Sequence, residues 1–156
     1  MLKFLTILSI LFYSNPPAYA QNASKIASEF NVSFKSESLG DRVRAVQSLK
    51  NLKWNASIPI LCKVFEEENP KLLTAAKEVL ESYHDQQEVA NWIFSRGIPS
   101  IKNKFSRSYL ISSLGKFHFA ETNDILLRLL RQSNDLELLI PVLEAISELN
   151  FESSIS

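Results

Sequence analysis

The side chains of this chain best suited to chemistry are one cysteine and two histidines. Cys62 is the sole thiol, and His84 and His118 each lie four residues beyond an apolar position, Leu80 and Leu114, with Asp85 and Glu121 close by. Two histidines and two carboxylates at equivalent corners of neighbouring units would together make a ligand set for a divalent cation. Zinc sites and their relatives, however, take ligands at recurring short spacings. None occurs here: the chain has no HExxH, no paired cysteines, no GxSxG and no GxxxxGK. The expectation is therefore no metal, no cofactor and no catalytic centre, with both histidines as polar loop residues. A lone cysteine cannot close an internal disulfide, so an apolar core must stabilise the fold unaided.

The elements that position these residues follow from composition and then from periodicity. Lysine plus arginine and aspartate plus glutamate are balanced at 17 each. No global basic field exists to attract nucleic acid or an anionic membrane. Three glycines and 46% apolar residues disfavour both disorder and a turn-dense β fold. Helices are expected.

Internal repetition is the strongest signal. Residues 69–80 read NPKLLTAAKEVL, and beneath them align 38–49 (SLGDRVRAVQSL), 103–114 (NKFSRSYLISSL) and 135–146 (DLELLIPVLEAI). The last positions, Leu49, Leu80, Leu114 and Ile146, are spaced by 31, 34 and 32 residues. The first positions, Ser38, Asn69, Asn103 and Asp135, are all types whose side-chain oxygen accepts the free amides of a first helical turn. Pro70 follows its cap, where a missing N–H does no harm. Three residues beyond each anchor come Leu52, Tyr83, Phe117 and Leu149, which extend the apolar face. A second helix is expected after each of the first three units, starting at Ser57, Asp85 and Thr122, with Gly97-Ile98-Pro99 as the stop after the second pair. Leu61, Trp92 and Leu126 occupy equivalent buried positions in these helices. Cys62 stands where its counterparts are Ile93 and Leu127, so it is expected to be a small buried hydrophobe.

The unit of 12 residues carries a polar cap, a charged or aliphatic fifth position (Arg42, Leu73, Arg107, Leu139), a small or aliphatic eighth (Ala45, Ala76, Leu110, Val142) and an aliphatic twelfth. In these features it resembles the short bacterial HEAT-like repeats, the type that also occurs in phycobilin lyases. Leucine in place of arginine at positions 73 and 139, and Pro141 inside the last helix, depart from that pattern. The resemblance implies an all-α fold, an α-α superhelix of about three and a half helix pairs. It further implies a binding face on the concave side, lined by the second helices. Lys63, Phe94 and Arg128 would lie there, together with Arg131, so that the face runs from Glu66, Glu67 and Glu68 through Phe94 as an apolar anchor to a basic end.

At the N-terminus Lys3, the apolar run 4–13, Pro16-Pro17 and Ala18-Tyr19-Ala20 have the order of a cleaved signal peptide over residues 1–20. The apolar run is well short of the roughly 20 residues that cross a bilayer. Ile26, Phe30 and Phe34 recur on one helical face, which makes residues 21–37 a candidate capping helix ahead of a repeat domain at 38–156. The last helix is apolar nearly all round. Leu138 and Val142 are the positions expected to dock a second copy or another protein, with Phe151 and Ile155 as residues able to fold back over that face instead. The functional expectation is an exported, periplasmic or secreted, non-catalytic scaffold or adaptor for a protein partner, with no stable membrane insertion after cleavage. A chaperone-like or lyase-type accessory protein cradling a substrate or chromophore is the alternative.

Overall fold

The computed structural model describes residues 18–153 and places side chains from 22 to 150. Every regular element among them is helical. In chain order these are α1 (Ala18–Ser33), α2 (Leu39–Ser48), α3 (Trp54–Val64), α4 (Pro70–Glu81), α5 (Gln87–Trp92), the short α6 (Ile98–Ser100), α7 (Lys104–Ser113), α8 (Ala120–Gln132) and α9 (Leu136–Ser153). The chain is all-α. The leader expected over residues 1–20 lies, as far as residue 17, outside the described residues, as do Ile155 and the side chain of Phe151.

Helix starts are set locally at α2, α4, α7 and α9. Ser38 is extended and accepts the Asp41 amide at 3.4 Å. Asn69 accepts the Lys71 and Leu72 amides at 3.0 and 3.4 Å, with Pro70 at the first helical position. Asn103 accepts the Ser106 amide at 3.2 Å, and Asp135 the Glu137 amide at 3.2 Å. Each satisfies donors that a helix N-terminus otherwise leaves free.

The second helices begin differently from expectation. α3 starts three residues before Ser57, and α8 two before Thr122, while Asp85 lies in the turn ahead of α5. Lys53, Gln86 and Phe119 precede these helices, and none makes a side-chain cap. Ser57 and Thr122 are instead fully buried within their helices. Gly97 is not a stop either. It has φ −60° and ψ −64° at the end of a π turn, Ile93–Gly97, through which the chain continues into α6. That wider turn, together with the short α6 that follows it, falls within the longest of the repeat spacings. A Cβ on Gly97 would lie 3.0 Å from the Trp92 ring, so glycine permits the ring to sit over the turn.

One apolar core runs through the stack. α2 packs on α4, α4 on α7 and α7 on α9, while α1 closes against α2 with Phe30 buried. Leu49, Leu61, Leu80, Leu114 and Leu126 are fully buried. Trp92, Ile146 and Cys62 are only half-buried, short of the full burial expected, because each lies at the flank of its helix. Tyr83 crosses between units, its hydroxyl 3.0 Å from the Leu49 carbonyl and 2.9 Å from that of Leu52. Its one proton is shared between the two, and the Leu49 oxygen also accepts the Leu52 amide at 3.0 Å, which closes the 3-10 turn that ends the preceding helix. Tyr83→Phe is expected to cost about 1 kcal/mol in urea unfolding, since the Leu52 carbonyl loses that donor while the Leu49 carbonyl keeps the Leu52 amide.

Candidate protein-binding groove and end face

The residues expected to bind a partner divide into two sets. Phe94 is half-buried, and the Arg128 guanidinium lies 5.1 Å above its ring, so the structure brings these two together from neighbouring units. Lys63 and Arg131 are exposed in the last turns of α3 and α8. The acidic end of that face is largely committed elsewhere. Glu67 pairs with Arg42 at 2.8 Å, and Glu68 accepts the Asn103 amide group at 2.9 Å. Glu67 thus pairs within the first unit and Glu68 reaches across to the cap of α7, with Glu66 exposed beside them.

On α9 the register differs from expectation. Val142 is 1% exposed and belongs to the core with Ala145, and Leu138 is half-buried against it. The apolar side chains that face outward are Leu136, Ile140 and Leu143, which are 76%, 60% and 53% exposed. Contacts from α7, α8 and the turn Leu114–Lys116 decide which stripe turns inward.

Beside this stripe lies a groove of about 540 Å³ between α4, α7 and α9, with Phe105, Tyr109, Ile140 and Pro141 as its apolar walls and Glu137 and Glu144 on its rim. Phe105 and Tyr109 meet edge to face at 5.3 Å, and Phe105 is 47% exposed. Through Lys77, Ser112 and Glu144 the groove continues into a second depression of about 460 Å³ that ends at Glu148. Thr74 joins it on the other side to a third, of about 300 Å³, bounded by Val43 and Pro70. A continuous open surface thus follows the first helices of the units. The available sequence signal was the aromatic pair Phe105 and Tyr109, one helical turn apart on α7.

Most cations near the groove are already paired. Lys77 meets Glu81 at 3.2 Å, Lys116 meets Glu148 at 2.7 Å, and Lys104 meets Asp135 at 2.6 Å. Burial raises the Glu81 carboxyl above its ordinary range, with Lys77 opposing that shift. The Lys104 hydrogen bond lowers Asp135 and raises Lys104. Burial also pushes the Cys62 thiol up, and Glu66 adds to the shift. A thiol so placed stays protonated and is a poor nucleophile. His84 is exposed, its Nδ1 lying 3.1 Å from the Glu81 carbonyl oxygen. Among the described residues no three histidine, cysteine or acidic side chains are placed to hold a metal ion, and no helix is long and apolar enough to cross a membrane.

No family model, no curated protein and no solved structure matches this chain.

Proposed function

We propose that this chain is an exported α-α superhelix of HEAT-like units that acts as a non-catalytic scaffold, holding another protein. The repeat reading rests on four first helices with the same kind of cap, stacked one on the next. The second helices approach one another less closely than the first helices do. The grooved first-helix face is the surface this reading favours, beside the second-helix face of Lys63, Phe94, Arg128 and Arg131. Small residues at the contacts, Ala45, Ala75, Ala76 and Ser106, are buried and allow the closer approach.

The single observation that carries the binding reading is the outward apolar stripe of α9 beside the open groove. Monomeric proteins seldom leave a contiguous apolar strip uncovered, and such strips commonly mark interfaces. The test places a photo-crosslinking residue at Ile140 and, as a control, at exposed Glu88 on α5, in the full chain expressed in its native cell. A defined protein adduct at position 140 and not at position 88 is the expected result. Absence of an adduct at both positions, and at Phe94 as well, would overturn the scaffold reading.

Export has its own check. The junction Ala20–Gln21 falls in the first turn of α1. Intact-mass measurement on secreted material is expected to give a chain beginning at Gln21. A species that retains residues 1–20 and sediments with membranes would show an anchor instead.

A further inference from the structure

The end face of α9 is one-sided in charge. Over Leu136–Ser153 the helix carries Glu137, Glu144, Glu148 and Glu152 and no lysine, arginine or histidine. Glu148 is held by Lys116, and Glu137 lies 3.8 Å from Lys104. Glu144 is exposed on the shared rim of the two depressions and makes no ion pair among the described residues. Leu136, Ile140 and Leu143 project at spacings of four and three residues, the pattern by which one helix accepts the ridge of another.

We infer that this face takes an amphipathic helix of another protein whose apolar stripe is flanked by lysine or arginine. The inference rests on the scaffold reading and names the partner's chemistry. Leu136, Ile140 and Leu143 supply the apolar contact, and Glu144, with Glu137 beside it, receives the cations. A second copy of α9 is disfavoured as the occupant, because two-fold packing sets two acidic rims against each other with no cation on either helix. An anionic lipid surface is disfavoured by the same like-charge repulsion.

The experiment uses the full chain and two synthetic helical probes as long as α9, 18 residues. Both carry the same leucine stripe, flanked by lysine in one and by glutamate in the other. Binding is followed by fluorescence anisotropy. The lysine probe should bind at least about tenfold more tightly than the glutamate probe. Ile140→Ser with Leu143→Ser should weaken it at least about tenfold, since both replaced side chains are exposed and removing them leaves the core intact. Glu144→Lys should reverse the order of the two probes. Circular dichroism with an unchanged melting temperature shows that each variant remains folded. Equal binding of the two probes, or binding indifferent to these substitutions, overturns the inference. So does a wild-type dimer in light scattering that Leu143→Ser turns into monomer, because the strip then belongs to a second copy. A crosslinked partner at Ile140 with no charge preference among the probes would leave the scaffold reading standing and remove only the partner's chemistry.

Discussion

Leu114→Ala and Leu80→Ala are each expected to lower stability by about 2–5 kcal/mol, the usual range for emptying a fully buried leucine site. Both side chains are inaccessible to solvent, and both occupy the twelfth position of their unit. Leu114 also opens the turn Leu114–Lys116, which packs on α9, so a cavity there loosens the contact between the third and fourth units. Against a total stability of about 5–15 kcal/mol for a domain of this kind, either loss is large. Urea unfolding reads it as a lowered midpoint with unchanged slope. Leu136→Ala supplies the contrast, since its side chain is 76% exposed and the change should stay within about 0.5 kcal/mol. Losses below about 0.5 kcal/mol at both anchors would show that the alignment of units does not describe the core.

What could be read from the sequence was what is decided within one helical turn. Ser38, Asn69, Asn103 and Asp135 each satisfy amides two or three residues away, so residue type alone located four helix starts. The second helices have no such marker. Lys53, Gln86 and Phe119 make no side-chain cap, and the hydroxyl and carboxylate residues nearby drew the expected starts to Ser57, Asp85 and Thr122. Gly97 misled for a related reason: a terminating glycine normally turns left-handed, whereas here glycine makes room for the Trp92 ring inside a continuing helical path.

The candidate site was legible only in outline. That the last helix exposes an apolar surface follows from its composition, but with leucine or isoleucine on nearly every side the sequence has no internal marker for the stripe that faces the core. Val142 and Ala145 turn inward because α7, α8 and the Leu114–Lys116 turn converge there. The groove is assembled from Thr74, Phe105, Tyr109 and Ile140, on three helices of three different units. Only the stacking of those units sets their distance, so no local pattern could announce it.

Gly115→Val is expected to destabilise the protein by about 1–3 kcal/mol, toward the upper end, and to do so by displacing α9. Gly115 is buried in the turn where the third unit meets the last helix. A Cβ there would lie 2.5 Å from Glu148 Oε2, 3.1 Å from Ala145 Cα and 3.2 Å from the Ala145 carbonyl oxygen. The carboxylate can swing aside, with loss of its 2.7 Å contact to Lys116. The Ala145 backbone yields only by drawing Val142 and Leu149, which hold that side of α9, out of the core. Valine adds two further methyl groups, so α9 must move outward and carry the wall of the groove with it. Gly40→Ala is the control: its Cβ would meet only Ser38 Oγ at 3.7 Å, within α2, where alanine favours the helix by about 0.5–1 kcal/mol. Hydrogen exchange should show the loss of protection in Gly115→Val concentrated in α9, together with weaker binding of the lysine probe. A variant that unfolds at the wild-type urea midpoint would mean that the turn and α9 do not approach this closely.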